Sequence, residues 1–176
     1  MKSTGVVRRV DELGRIVIPK EIRRTMRIRD GESLEIFVDN EGISLKKISQ
    51  MSDLNDIAQN LVDVVHSISN KNVFITDRDK FIAGSGDLKK RFLDKNISHQ
   101  LETIMNERHN IIKLNREKLD IVEGTSEYFS YIAMPIIVNG DAIGLVLVLS
   151  IDEDINKTHE SIVLLLTKFL GKYVDE

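Results

Sequence analysis

The stretch LGRIVIPKEIRRTMRI, residues 13–28, compresses a loop arginine, a short apolar run, a proline and an arginine-rich helix into sixteen positions. Ile16, Val17 and Ile18 suit a brief strand buried on both faces. Pro19 follows where it can open a helix, since the first helical position needs no N–H donor and its fixed φ is already helical. In that helix Ile22 and Met26 lie four apart and are expected to share a buried face, leaving Arg23, Arg24 and Arg27 on the remaining surface. Arg23 and Arg27 are also four apart, a like-charge pair that costs roughly 0.2–0.5 kcal/mol unless a polyanion lies across it.

Working outward, GVVRRV at residues 5–10 reads as a strand that ends in the turn Asp11–Glu12. In a regular strand Arg8 and Arg9 point to opposite faces, so both meet one ligand only through a twist, a bulge or a second subunit. After a turn at Asp30–Gly31, SLEIFVD (33–39) alternates cleanly, with Leu34, Ile36 and Val38 on one face. Asn40-Glu41-Gly42 signals a hairpin, and ISLKKI (43–48) returns as the paired strand. Four short strands and one short helix make a thin core, within the roughly 40–60-residue range that is marginal for an independent domain. An obligate dimer is therefore expected.

The formal net charge of −3 conceals a division: residues 1–29 hold nine Lys/Arg against three Asp/Glu, while residues 51–176 hold 14 against 20. A local basic face is joined to an acidic half. The chain has no cysteine, which excludes disulfides, thiolate metal sites and cysteine nucleophiles. The N-terminus has no apolar h-region and no apolar run approaches membrane-spanning length, so a cytoplasmic protein away from the membrane is expected.

Composition shifts around residues 49–52, and three segments are expected: 1–52, a linking helix at 53–70, and 71–176. Leu54, Ile57, Leu61, Val64 and Ile68 step by three and four like a two-heptad coiled-coil seam, capped by Ser52 or Asp53. Ala58, Val62 and Val65 widen the stripe enough for the helix to lie on its own domain instead. Beyond it, VFITD-RDK-FIAGSG is a hairpin, residues 87–93 and 98–108 read as helices, and IIKL (111–114) as a short strand. EYFSYIAMPIIV and AIGLVLVLS flank Asn139-Gly140-Asp141 in a second hairpin, and residues 154–173 form a terminal amphipathic helix. The fold class is α+β, an antiparallel sheet flanked by helices.

The first fifty residues, above all LGRIVIPKEIRR, closely resemble the N-terminal DNA-binding module of the AbrB family of bacterial transition-state and sporulation regulators. The resemblance implies a swapped-hairpin β-barrel in which two chains interleave, with double-stranded DNA as partner and contacts from Arg8, Arg9, Arg15, Arg23 and Arg24. Guanidinium forks suit phosphates and base edges. Lys2, Lys46 and Lys47 could add nonspecific phosphate contacts, though solvation explains each. The second half, with its VNGDAIGLVLVLS hairpin, resembles a GAF domain. The combination over the whole chain resembles sporulation regulators that activate and repress genes in the forespore and assemble as tetramers.

A GAF domain commonly holds a small molecule between its sheet and covering helices, here expected loosely around Phe74, Phe92, Ile104, Tyr131 and Met134; core packing is the competing role for each. No cofactor is required, and without cysteine bilin attachment and methionine sulfoxide reduction are excluded. His66, His99, His109 and His159 lack zinc-site spacing. Gly84-Ser85-Gly86 is too short for a phosphate loop, and a hairpin turn explains Asp77 and Asp79. No catalytic or metal site is expected. An antitoxin-like interaction module of the MazE type is the competing function.

Overall fold

The computed structural model describes residues 5–40, 42–48, 51, 54–152 and 154–175. Lys2, and the expected caps Ser52 and Asp53, lie outside them. The chain divides into two compact units, Met1–Ile48 and Ser49–Glu176.

In the first unit, α1 (Lys20–Thr25) starts after Pro19, which holds the N-cap position at φ −56° and ψ 146°. Arg27 ends it in the left-handed region at φ 51°. There the Ile28 N–H reaches the Arg23 carbonyl at 2.8 Å and the Arg27 N–H reaches that of Arg24 at 3.2 Å, the paired bonds of a Schellman motif. Arg27 thus stands beyond the helix, and the expected Arg23–Arg27 helical pair does not form. β1 (Leu34–Asp39) and β2 (Gly42–Lys47) pair antiparallel, Leu34 facing Lys47. Lys47 Nζ bonds the Arg27 carbonyl at 3.0 Å and Glu32 at 3.1 Å, fastening the helix end to this hairpin.

Two expectations change here. Residues 5–10 and 16–18 join no ladder in the described chain. Residues 16 and 17, expected to be buried, stand open, Val17 at 72% exposure; Met26 is open too, and Val38 on β1 reaches 76%. The reason is layer count. A lone two-stranded ribbon offers no second surface against which either face can be covered.

The second unit has three layers. Its sheet runs β4-β3-β7-β6-β5, all antiparallel, with β3 (Asn72–Thr76), β4 (Phe81–Ser85), β5 (Ile111–Val122), β6 (Thr125–Val138) and β7 (Asp141–Ser150). Turn chemistry sets the β6–β7 hairpin. Asn139 and Gly140 both have positive φ, 49° and 85°, as a two-residue primed turn requires. On one face α2 (Asn55–Ser69) and α5 (Lys157–Asp175) bury Ala58, Val62, Val163, Leu166 and Leu170 against Val73, Ile132, Met134, Val146 and Val148. On the other, α3 (Lys89–Phe92) and α4 (His99–Glu107) bury Phe92, Leu101 and Met105 against Phe74, Phe81, Leu145 and Leu147. Strand alternation sends consecutive residues of β7 to the two cores in turn. β5 extends eight residues past the expected IIKL.

Ser98 caps α4 by accepting from the Leu101 N–H at 3.1 Å. Asn156 caps α5 reciprocally: its Oδ1 accepts from the Thr158 and His159 N–H groups, and His159 Nδ1 accepts from the Asn156 N–H at 3.1 Å. This is a capping box with imidazole in the usual glutamate place. Burial, then the Lys71 charge, holds His159 below its ordinary pKa, while the hydrogen bond from Lys71 Nζ holds Asp154 below the usual carboxylate range. Both folded-state values lie under the unfolded ones, so both groups stabilise the fold at neutral pH and withdraw that support on acidification, His159 from about pH 6.5 downward and Asp154 below about pH 3.9. The melting temperature should therefore fall between pH 7 and 5.5. His159→Gln should flatten that slope, and an unchanged slope would show that protonation of the cap is immaterial.

Candidate nucleic-acid interface

The five arginines occupy three segments of the first unit. Arg8 and Arg9 lie on residues 5–10, outside the described strands and helices, Arg15 in a loop, and Arg23 and Arg24 on α1. All are exposed except Arg23, which is half-buried. Arg8 donates to its neighbour's carbonyl at Val7, 3.0 Å away. Arg9 and Arg24 have no ion pair among the described residues, whereas Arg23 Nη1 is held by Asp30 and its Nε is shielded without a partner.

The Arg15 loop is closed by hydrogen bonds of its own. The Asp11 N–H bonds the Arg15 carbonyl and the Gly14 N–H bonds the Asp11 carbonyl, each at 3.0 Å. Gly14 sits at φ +76°, a conformation other residues rarely adopt. Asp11 Oδ1 accepts from Leu13 N–H and Arg15 N–H, and Oδ2 accepts from Arg15 Nε at 2.8 Å. From the sequence Asp11 reads as a turn residue only; the signal for the clamp is an aspartate four residues before an arginine across a glycine turn.

Of the lysines, Lys46 Nζ stands 4.5 Å over the Phe37 ring and Lys47 bonds Glu32.

In the second unit the proposed pocket residues are all buried, but they do not form one site. Phe74, Phe92, Ile104 and Tyr131 belong to the α3/α4 layer, and Met134 to the opposite α2/α5 core. Tyr131 and Met134 are three apart on β6, an odd spacing that sends them to opposite faces. In the α3/α4 layer the ring of Phe74 lies edge-on to Phe81 and Phe92, with centroids 5.5 and 5.8 Å apart. A surface cleft of about 470 Å³ lies elsewhere, between the β6–β7 hairpin and α5, lined by Arg108, Asn139, Leu164, Lys168 and Lys172 among others.

The expected seam on α2 divides. Leu54 is buried and Ile57 and Leu61 pack partly against the unit's own core, while Val64 and Ile68 are 56% and 71% exposed. Ala58, Val62 and Val65 face the sheet. Gln59 bonds the Gly84 carbonyl and N–H at 3.1 and 3.3 Å, covering the edge of β4. The helix is a layer of the second unit rather than a free linker. Among the described residues no cluster of three metal-ligating side chains occurs, and no helix is long and apolar enough to cross a membrane.

Comparison with known proteins matches this two-unit description. The family model described as stage V sporulation protein T C-terminal, transcription factor, covers residues 53–175. The model described as antidote-toxin recognition MazE, bacterial antitoxin, covers residues 7–53. Stage V sporulation protein T of Bacillus subtilis (strain 168) is 43% identical over 178 aligned positions, spanning all of both chains. Transition state regulatory protein AbrB of the same organism is 66% identical over 47 residues, 27% of this chain and 49% of that one. The GAF domain of an Acinetobacter phosphoenolpyruvate-protein phosphotransferase superposes with a TM-score of 0.58 at 16% identity, over 69% of this chain and 81% of that one, which shows the GAF fold. The first unit carries an AbrB-like DNA-binding module, the second is GAF-like, and the chain belongs to the stage V sporulation protein T family of transcription factors.

Proposed function

We propose that the chain binds double-stranded DNA as a dimer through Arg8, Arg9, Arg15, Arg23 and Arg24, and that in the cytoplasm of the forespore it activates and represses sporulation genes. The observation that carries this reading is the open first unit. Its apolar residues Val7, Val17, Ile36, Val38 and Ile43 are exposed beside exposed arginines. Interleaving with a second copy would cover the former and gather the latter, from three segments of each chain, on one surface. Shape and deformability of the duplex would supply much of the specificity, because α1, at six residues, is too short to be a groove-filling recognition helix.

The GAF-like unit serves assembly in this proposal. Its sheet-to-α3/α4 layer is filled by Phe74, Phe81 and Phe92, which disfavours a small-molecule site there, and any metabolite would be taken at the cleft beside α5. Val64 and Ile68 of α2 remain available to join dimers into tetramers.

DNA titration of the full chain at two salt concentrations, with mass from light scattering, tests the DNA-binding and assembly parts of this reading. A tetramer whose affinity falls steeply with salt is expected. Val64→Lys with Ile68→Lys should halve the mass while preserving the melt, because both side chains are already in water; a mutant that keeps the native mass would remove α2 from the assembly. Absence of DNA binding would overturn the reading and favour the antitoxin-like module, for which the match at residues 7–53 is the specific support.

A further inference from the structure

We propose that Asp11 is a positioning residue of the DNA interface, fixing the Arg15 guanidinium so that its outer edge is presented to the duplex. The inference rests on the reading of Arg15 as a DNA contact and adds to it a residue of the opposite charge.

The geometry is specific. One carboxylate oxygen of Asp11 takes the Leu13 and Arg15 N–H groups, at 3.0 and 2.8 Å, and the other takes Arg15 Nε at 2.8 Å. Binding through Nε leaves the Nη1 and Nη2 groups, and the donor edge between them, without a protein partner among the described residues. The Arg15 side chain is 72% exposed all the same. A guanidinium anchored at Nε and bare along its Nη edge suits bidentate donation to guanine O6 and N7, or to a phosphate. Without the anchor, an arginine on a surface loop samples many rotamers, and ordering it at the moment of binding weakens the complex. The same carboxylate also holds the loop in which Arg15 sits. Its hydrogen bonds from the Arg15 N–H and then the Arg15 side chain keep it below the usual carboxylate range, ionised throughout the neutral region.

Charge alone predicts the opposite result. A carboxylate beside a phosphate-binding surface repels DNA, so neutralising it should tighten binding of every sequence. If Asp11 positions Arg15, neutralising it should weaken the specific complex while leaving nonspecific binding equal or tighter. Asp11→Asn separates the two, since its amide oxygen can still accept the Leu13 and Arg15 N–H groups but its amide nitrogen cannot accept from Nε.

The experiment uses the full chain, a duplex selected by the wild-type protein from a random-sequence pool, and poly(dI-dC) as nonspecific DNA. Asp11→Asn is expected to lose about tenfold on the selected duplex and nothing on poly(dI-dC), with an unchanged melt. Arg15→Lys keeps the charge, cannot form the Nε clamp, and should lose a similar factor without altering Asp11. The double variant should lose no more than either alone, because both changes remove one device. If Arg15→Lys weakens specific binding while Asp11→Asn leaves it unchanged or tightens it, or if the two losses multiply, this inference is overturned and the DNA role of Arg15 survives. If Arg15→Ala leaves the selected duplex as tightly bound as before, the underlying assignment of Arg15 fails and the inference with it.

Discussion

Gly144→Val is expected to leave the second unit unfolded at room temperature, and Gly144→Ala to lower its stability by about 3 kcal/mol or more. Gly144 lies on β7, between β3 and β6 in the sheet order. A Cβ built on it would stand 2.2 Å from the Thr76 carbonyl oxygen, 3.3 Å from that carbonyl carbon and 3.4 Å from Ile136 Cδ1. The first of these is backbone and cannot rotate away. It is also held in place, because the Thr76 hydroxyl accepts the neighbouring Leu145 N–H at 3.2 Å, where the β3–β4 register shifts between Ile75 and Thr76. Relief would require β3 and β7 to separate, with loss of the ladder from Asn72–Leu149 to Thr76–Leu145. Gly140 is the internal control. It has φ +85° and open space around it, so alanine there meets only the left-handed backbone cost of about 1 kcal/mol. Thermal melts by circular dichroism decide the matter; a Gly144→Ala melt within a few degrees of wild type would show that the strands yield where this packing says they cannot.

What the sequence disclosed of the fold follows the range of the interactions involved. The β6–β7 hairpin was legible because Asn139-Gly140 closes it locally, in the left-handed conformations those two residues tolerate. α4 was legible because Ser98 caps it and Leu101, Ile104 and Met105 mark one face. The long β5 was not: residues 115–118, NREK, lack alternation, and the strand lies at a sheet edge where its ladder to β6 shifts between Lys113 and Glu117. The α2 stripe was ambiguous because its partner is distant in sequence. Ala58, Val62 and Val65 turn inward because β3 and β4 leave that face of the sheet to be covered. Met134 is a different case, since strand parity already separated it from Tyr131. On the proposed DNA surface the arginines were visible as a charge cluster and as a family resemblance. The Asp11 clamp was not, because an exposed i,i+4 pair contributes little to stability and stands out only when its backbone bonds are seen with it.

Arg15→Ala combined with Arg24→Ala is expected to reduce DNA affinity by at least about 100-fold at moderate salt. Each lost base-edge contact is worth about 1–3 kcal/mol, and a symmetric dimer forfeits four guanidiniums. The salt slope should flatten as well, by close to one unit for each phosphate contact removed, which distinguishes lost contacts from a dimer that no longer forms. Neither residue supports the fold: Arg24 is exposed without an ion pair, and Arg15 bonds only within its own five-residue loop. The melt should accordingly stay within a degree or two. Arg23→Ala provides the contrast. Its Nη1 is occupied by Asp30 and its Nε is shielded, so part of that guanidinium is withheld from DNA and its loss should disturb the turn at Asp30 as well as binding. A double variant that retains wild-type affinity and slope would remove the loop and the helix face from the interface, leaving Arg8 and Arg9 as the remaining basic pair. Weakened binding with an unchanged slope would instead mean that both arginines read bases rather than phosphates, because counterion release counts only the charges laid against the backbone.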